Sequence, residues 1–365
     1  MNGMDILRAK TIDLRKTREL TPARKENAIL NEMEATQQKT VLESFPRRFV
    51  FELTNACNLN CIMCGRNAAN FKLRRFDVSW LEIFEPVVNT VEEVTLMGWG
   101  EPTIHPEFIR FLKWAHKNGL RKYFCTNGMR LEHLIDVIFE TETDIIAVSL
   151  DGANAETNNR IRRGSDFDKV VKIIELITRR REKWPYMNFV FTAMKSNIKQ
   201  LPDMVKLASD IGLQEVKVVY LTAFSERMAD EILYGHEKLV KDSFQKTKII
   251  ADTYDIALKL PHLHGQDPAG DAFHKTCYTG WRDFFLGSDG YVRPCMSTSD
   301  KLLHIDKYRS FDEMWNSSEY EMHRKRVNSG DMNDACRMCY QSSFANWNRR
   351  ESFLQAREAF SPNWE

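Results

Sequence analysis

The 365 residues are 43% hydrophobic and 28% charged, a composition that supports one large buried core together with a smaller domain. Lysine and arginine number 52 against 51 aspartates and glutamates, so no global charge argues for binding nucleic acid or an anionic membrane. The charged amino terminus excludes a secretory signal peptide, and no stretch approaches the roughly 20 apolar residues of a membrane span. We therefore expect a cytoplasmic protein whose eight cysteines stay reduced and serve metal binding or catalysis.

The amino-terminal segment, residues 1–46, is polar and favours a helix. Thr21 followed by Pro22 is a typical helix start, and the run ARKENAILNEMEATQQKTVLESF predicts that the helix continues to Phe45. The segment is too short for an independent recognition domain of ordinary size. We expect a helical extension appended to the rest of the chain.

Residues 47–260 alternate between short apolar runs and longer amphipathic stretches, one of which covers Phe167–Arg180. Six runs are typical of strands: FVFELT, EVTLMGWG, KYFCTNG, IIAVSLDG, NFVFTAMK and EVKVVYLT. This alternation predicts parallel βα units, and six of them favour an open, partial barrel over a closed eight-stranded one. Because the carboxyl ends of parallel strands carry functional sites, the motifs that end these runs supply the candidate functional residues.

The first cysteine cluster follows the first strand run. Cys57, Cys61 and Cys64 form a C-x3-C-x2-C motif within an asparagine-rich loop, where three thiols can hold one soft metal centre. The spacing favours an iron–sulfur cluster over zinc, which prefers four ligands, or three and a water. Buried, unligated cysteines are the remaining alternative.

This motif resembles that of the radical S-adenosylmethionine (SAM) enzymes, and the resemblance spans about residues 47–225. It implies a partial (β/α)6 TIM-like barrel in which the three cysteines bind a [4Fe–4S] cluster. The resemblance further implies that SAM chelates the fourth iron and that its cleavage yields a 5′-deoxyadenosyl radical, which abstracts hydrogen from a substrate. A flavodoxin- or ferredoxin-type protein is the electron donor that it implies.

Further motifs at strand ends support this resemblance. GWGEP resembles the family's glycine-rich motif for the methionine amino group, while SLDG and NRIRRG resemble its ribose and carboxylate contacts. VVYLT resembles the strand near the adenine, and the position before the third cysteine, often aromatic in the family, is methionine here. The cofactor-binding residues implied are Met63, Gly98, Gly100, Glu101, Ser149, Asp151, Arg162 and Tyr220. Each motif by itself also has a purely structural alternative. This is a simple turn for GWGEP, a solvated helix face for NRIRRG and core packing for VVYLT.

Residues 261–365 predict a small α+β domain that contains a hairpin-like run, FFLGSDGYVRP, and four clustered cysteines. Cys277, Cys295, Cys336 and Cys339 suffice for one closed cluster, with zinc as an alternative. Their pattern resembles the front part of the SPASM domain, an auxiliary-cluster module behind some radical SAM barrels. Since no cysteine follows Cys339, the resemblance implies the shortened twitch version with one auxiliary [4Fe–4S] cluster.

Cys125 is the remaining thiol, and a lone cysteine on a strand is more often a small core residue. At the top of the barrel it is also a candidate hydrogen-atom donor, as an epimerase would require. The resemblance implies oxidation or epimerisation of a small polar metabolite such as a sugar or aminocyclitol. The alternatives are crosslinking or epimerisation of a ribosomally made peptide, and a non-catalytic metal-binding module.

Overall fold

A ten-stranded sheet forms the centre of the computed structural model, which describes residues 18–68, 72–224, 226–261, 263, 276–295, 298, 300–333 and 336. The strands are β1 (Arg48–Phe51), β2 (Glu93–Leu96), β3 (Arg121–Thr126), β4 (Ile145–Ser149), β5 (Tyr186–Ala193), β6 (Glu215–Tyr220), β7 (Ala257–Lys259), β8 (Asp283–Leu286), β9 (Tyr291–Arg293) and β10 (Leu303–His304). Their order across the sheet is β10-β9-β8-β1-β2-β3-β4-β5-β6-β7. The six predicted strand runs are confirmed as β1 to β6.

All neighbours from β8 through β1 to β7 pair in parallel, whereas β9 and β10 add an antiparallel edge. The helices are α1 (Pro22–Thr36), α2 (Phe108–Lys117), α3 (Ile135–Glu140), α4 (Ala155–Ile161), α5 (Phe167–Arg180), α6 (Leu201–Asp210), α7 (Glu226–Ala229), α8 (Glu237–Tyr254), α9 (Thr279–Arg282), α10 (Phe311–Trp315) and α11 (Ser318–Val327). This order of strands and crossover helices is the predicted βα alternation, which places the carboxyl ends of β1 to β6 at one edge. In the described ranges, no helix is long and apolar enough to cross a membrane.

Helix α5 shows how local sequence signals define where a helix begins and which face it buries. The carboxylate of Asp166 accepts the backbone N–H of Lys169 and so satisfies a donor that the first helical turn leaves unpaired. Its buried residues recur with helical spacing and pack against the sheet, while two arginines fall in the last turn. The bounds Phe167–Arg180 agree with the sequence prediction.

Helix α1 begins as predicted, because Thr21 caps its amino terminus, but the prediction that it continues to Phe45 is wrong. The helix ends at Thr36, and Gln38 adopts a positive φ of 53° that turns the chain. The buried carboxylate of Glu34 then accepts hydrogen bonds from the backbone N–H groups of Glu43 and Ser44. These bonds hold the returning segment in an irregular conformation.

The carboxy-terminal part of the chain contributes to the barrel sheet directly. Strand β8 pairs with β1, and Arg48 on β1 forms an ion pair with Asp283 on β8, with Nε 2.8 Å from Oδ1. The ring centroids of Phe49 and Phe284 lie 6.2 Å apart, and that of Phe311 on α10 lies 5.0 Å from that of Phe284. The amino-terminal extension packs against the same cluster, because the ring centroids of Phe45 and Phe311 lie 6.2 Å apart. The boundaries 1–46, 47–260 and 261–365 stay a prediction.

Candidate cluster and cofactor site

The cysteine loop follows β1 and is tied to the end of α4. The backbone N–H of Asn60 donates to the carbonyl oxygen of Arg163 at 2.9 Å, and that of Ile62 donates to the carbonyl oxygen of Ile161 at 2.9 Å. Two backbone hydrogen bonds close the far end of the loop: the N–H of Cys64 donates to the Cys61 oxygen, and the N–H of Asn67 donates to the Cys64 oxygen. Sequence-distant segments therefore fix the course of the loop that carries the three thiols.

The two glycines of GWGEP let the end of β2 approach this loop closely. A Cβ at Gly100 would collide with the backbone oxygens of Thr54 and Ala56, and a Cβ at Gly98 would collide with the Glu52 side chain. The next backbone N–H, that of Glu101, donates to the Ala56 oxygen at 2.8 Å. Glycine at these two positions thus has a concrete basis in the close packing of β2 against β1 and the cysteine loop. Contact of either glycine with SAM stays a prediction.

The thiols of the loop lie partly or wholly inside the protein. Burial raises the pKa of Cys57 and raises that of Cys61 to about 11, and neighbouring thiols add to both effects. The backbone N–H of Leu59 donates to Cys57 Sγ at 3.4 Å, and Asn127 Nδ2 lies 3.8 Å from the same sulfur. Because burial disfavours the thiolate, we expect cluster binding to release protons from this loop.

The donor set fits an iron–sulfur cluster. Three soft thiol donors share one loop, neighbouring thiols raise the pKa of Cys57 and Cys61, and Cys57 receives an N–H donor of the kind that tunes such clusters. Within the described ranges, no three histidine, cysteine or carboxylate side chains already surround a common point closely enough to hold a metal ion. Cys57, Cys61 and Cys64 are the residues that would hold the cluster.

Glu101 has its carboxylate turned into the protein. One oxygen, Oε1, accepts from the hydroxyls of Thr103 and Thr126, both at 2.6 Å, and from the Thr103 N–H. The other, Oε2, accepts from the Asn127 N–H at 2.7 Å. Burial raises the pKa of Glu101 while these four hydrogen bonds oppose the increase. The side chain thus joins the end of β2 to the end of β3, and a side-chain contact with SAM stays a prediction.

Asp151 and Arg162 meet beneath the cysteine loop. Asp151 is fully buried, its Oδ2 lies 2.7 Å from Arg162 Nε, and its Oδ1 accepts the Thr192 N–H at 2.7 Å. Arg162 is 8% exposed, and its charge favours the thiolate of Cys61. The structure gives its two Nη atoms no partner among the described residues. These donors suit the carboxylate contact that the resemblance implies, which stays a prediction.

The remaining predicted residues lie at separate places: Ser149 and Tyr220 at the ends of strands, and Met63 on the cysteine loop. Ser149 Oγ lies 3.5 Å from Cys125 Sγ, and both side chains are partly exposed on the inner face at the ends of β4 and β3. Met63 is partly buried against the core beside the cysteine loop. Tyr220 stacks on Phe244 of α8 with centroids 6.2 Å apart, and its contact with the adenine stays a prediction.

The second cysteine group is partly described. Cys277 Sγ lies 3.0 Å from Thr279 Oγ1, and its backbone N–H donates to Asn328 Oδ1 at 2.8 Å. Burial raises the pKa of Cys336 to about 12, and the nearby thiols of Cys295 and Cys277 contribute to the increase. The structure thus brings three of the four predicted ligands into one neighbourhood. Cys339 lies outside the described residues.

Two residues of this region escaped the sequence reasoning. Asn127 donates to Asn58 Oδ1 at 2.8 Å and so links the end of β3 to the cysteine loop. Glu52 is buried and accepts from the N–H groups of Trp99 and Ser288, joining the ends of β2 and β8 to β1. The position of Asn127 directly after a strand run was the available signal, whereas nothing local distinguishes Glu52.

Comparison with known proteins agrees with this arrangement. Residues 51–208 match the radical SAM superfamily, and residues 277–340 match SPASM, an iron–sulfur cluster-binding domain. The chain is 25% identical over 322 residues to the AdoMet-dependent heme synthase of Methanosarcina barkeri, covering 80% of this chain and 88% of that protein. It is 25% identical over 260 residues to the subtilosin biosynthesis protein AlbA of Bacillus subtilis, covering 68% of this chain and 55% of AlbA.

Among solved structures, SuiB of Streptococcus suis bound to SAM aligns with a TM-score of 0.66 and 16% identity, covering 92% of this chain and 81% of SuiB. At that identity the likeness shows a shared fold. The two family matches together cover more than half of the chain and contain all eight of its cysteines. The chain therefore belongs to the radical SAM superfamily, with a [4Fe–4S] cluster and SAM as its cofactors and a SPASM domain for auxiliary iron–sulfur binding.

Proposed function

We propose that this radical SAM enzyme oxidises a small polar substrate held inside the barrel. The cluster with SAM supplies hydrogen abstraction, and the auxiliary centre supplies an electron acceptor. What carries the proposal is the polar inner face of the sheet, because a small substrate with several hydroxyl, amine or carboxylate groups needs matching donors and acceptors.

The inner face contains buried polar atoms without protein partners. Asn188 pairs in register with Ala147 on one side and Glu215 on the other, and partners in register share a face of the sheet. Asn188 Oδ1, Glu215 Oε1 and Thr95 Oγ1 are buried and make no hydrogen bond with a described group. Since buried polar groups are normally paired, these atoms support a polar ligand between the strands.

Lys217 adds a cation to this interior. Its residue is 6% exposed, it lies on the same face as its register partner Val190, and its ammonium forms no ion pair with a described side chain. Burial lowers the pKa of Lys217 to about 8, while nearby Glu215 opposes the decrease. An unpaired buried ammonium favours a substrate that carries an anionic or strongly hydrogen-bonding group.

The role of Cys125 distinguishes oxidation of the substrate from its epimerisation. Burial raises the pKa of its thiol, so the thiol stays protonated near neutral pH and could donate a hydrogen atom. In the proposed oxidation, the substrate would lose one hydrogen atom to the 5′-deoxyadenosyl radical, one proton to a base or water, and one electron to the auxiliary centre, so it needs no such donor. In an epimerisation, the thiol would return one hydrogen to the opposite face of the substrate carbon.

The experiment uses anaerobically reconstituted enzyme with SAM, a reductant, and panels of sugars, uronic acids and aminocyclitols. The expected result is 5′-deoxyadenosine formation that is stimulated by one class, with a product lacking two hydrogens. The Cys125→Ala variant should retain this reaction. A product of unchanged mass that takes deuterium from heavy water, lost in Cys125→Ala, would instead establish epimerisation.

A second candidate is radical modification of a ribosomally made peptide. The similarity to AlbA, named for biosynthesis of the bacteriocin subtilosin, favours it, although this chain spans 55% of AlbA's length. The prediction is that a precursor peptide from the gene's neighbourhood stimulates 5′-deoxyadenosine formation where small metabolites do not. Stimulation by a small metabolite alone would reject this candidate.

A further inference from the structure

A surface cleft of about 500 Å³ lies between the segment that follows the cysteine loop and the hairpin formed by β8 and β9. One wall contains Lys72, Arg74 and Arg75, and the other contains Tyr291 and Lys301. We call this the basic cleft. Nothing in the proposed reaction uses it.

The cations of the first wall are available to a partner. Lys72, Arg74 and Arg75 are all exposed, and none forms an ion pair with a described side chain. Across the cleft, the Lys301 ammonium lies 4.4 Å from the centroid of the Tyr291 ring. Four basic side chains therefore face one opening, and at least three of them keep their charge unpaired within the described part of the chain.

The carboxylates of the cleft do not cancel this charge. Asp289 is paired with Arg293, whose Nη2 lies 2.7 Å from Oδ2. Glu52 is buried, and burial raises its pKa. Asp77 accepts hydrogen bonds from the N–H and hydroxyl of Ser79, which leaves it as the one exposed local carboxylate among the described lining residues. The cleft consequently presents an excess of positive charge.

The first wall is attached to the cysteine loop by hydrogen bonds. The carbonyl oxygen of Lys72 accepts from Asn55 Nδ2 at 2.8 Å, and the N–H of Arg74 donates to Asn55 Oδ1 at 2.7 Å. The Arg74 oxygen also accepts from the Thr54 hydroxyl at 2.9 Å. Asn55 stands two residues before Cys57. A partner seated in the cleft would thus lie beside the loop that holds the cluster ligands.

We propose that the basic cleft docks a small acidic electron-transfer protein that reduces the cluster held by Cys57, Cys61 and Cys64. The inference rests on the proposed function, since a radical SAM reaction consumes one electron at each SAM cleavage; the carrier loses that electron and the cluster gains it. Charge complementarity gives fast, salt-sensitive association, and electron-transfer encounters typically use small interfaces.

The test compares two charge-reversed triple variants with wild type. Lys72→Glu/Arg74→Glu/Arg75→Glu changes the cleft, while Lys238→Glu/Lys241→Glu/Lys248→Glu makes the same charge change at exposed positions of α8. Binding to a bacterial flavodoxin is measured by calorimetry or fluorescence at low and high salt. Cluster reduction is followed by visible absorbance with reduced flavodoxin and, separately, with dithionite.

We expect the cleft variant to bind flavodoxin at least about tenfold more weakly at low salt, and the α8 variant to bind as wild type does. Reduction by flavodoxin should slow in the cleft variant while reduction by dithionite stays unchanged. Equal flavodoxin binding in all three proteins would overturn the docking site. Slower reduction by both reductants would overturn it too, because the residues would then act by holding the cysteine loop.

A milder variant protects the test against misfolding. If the charge-reversed cleft variant loses iron, Lys72→Gln/Arg74→Gln/Arg75→Gln is measured instead, with weaker flavodoxin binding again expected. Failure of the proposed function has a different signature. Wild type would then bind flavodoxin through the cleft, yet no small polar metabolite would stimulate 5′-deoxyadenosine formation with either reductant.

Discussion

Asp151 Oδ2 lies 2.7 Å from Arg162 Nε, and the pair is buried where the end of β4 meets the cysteine loop. The two residues were predicted from separate motifs as separate cofactor contacts. Their pairing means that Asp151 orients the guanidinium and compensates its charge, leaving the Nη atoms for a ligand. One buried carboxylate thus positions the cation that is proposed to bind the methionine carboxylate.

Replacing Asp151 by alanine should strongly destabilise the protein. The change leaves the Arg162 guanidinium buried without its charge partner, so we expect the free energy of unfolding to fall by roughly 3 kcal/mol. Urea denaturation followed by circular dichroism measures this loss. Asp136→Ala is the matched control, since it breaks the exposed ion pair with Arg180. The free energy of unfolding of Asp136→Ala should fall by less than about 1 kcal/mol. Similar decreases in both variants would contradict a buried Asp151–Arg162 pair.

Replacing Glu101 by glutamine should separate a positioning role from cofactor contact. The four donors around the carboxylate already occupy it, so Glu101→Gln should leave the affinity for SAM within about twofold of wild type. Glu101→Ala should instead lower the free energy of unfolding by roughly 2 kcal/mol, because buried donors lose their acceptor. Equilibrium SAM binding and urea denaturation provide the two readouts. A large loss of SAM affinity in stable Glu101→Gln would show direct contact.

Removing the first three cysteines should remove one cluster and spare the other. Wild type with one auxiliary [4Fe–4S] cluster should contain about eight irons per chain, and a Cys57/Cys61/Cys64→Ala variant about four. Iron, sulfide and zinc analysis after anaerobic reconstitution measures both. About four irons with one zinc in wild type, and no iron in the variant, would assign zinc to the carboxy-terminal cysteines. More than about eight irons would indicate further auxiliary clusters.

Lys217 should make stability depend on pH in a defined direction. Its pKa is lowered to about 8 by burial, so between that value and the ordinary lysine value the unfolded chain binds more protons than the folded one. Stability from this group therefore rises with pH across that window. Lys217→Met should stabilise the protein by on the order of 2 kcal/mol near pH 7 and by much less near pH 9.5.

Urea denaturation at both pH values measures the Lys217→Met effect. Lys172→Met, at an exposed position of α5, serves as the control and should leave stability nearly unchanged at each pH. A stabilisation by Lys217→Met that does not diminish at the higher pH would show that the ammonium is not the source of the effect.

The sequence by itself determined the elements whose signals are local. The amphipathic stretch of α5 predicted its bounds Phe167–Arg180, and six strand runs separated by helices predicted the parallel sheet. The spacing of Cys57, Cys61 and Cys64 indicated the cofactor chemistry, because three thiols on one loop have few other uses. Such signals can be read without the tertiary structure, because residues close together in the sequence produce them.

Tertiary structure alone decided how distant segments meet. It placed β8 beside β1, turned the Glu101 carboxylate inward, stacked Tyr220 on Phe244, and paired Asp151 with Arg162. It also ended α1 at Thr36, because the Glu34 carboxylate captures the returning backbone. Each outcome depends on the free energy of burying a polar group or an aromatic ring. That free energy is set only when residues far apart in sequence come into contact.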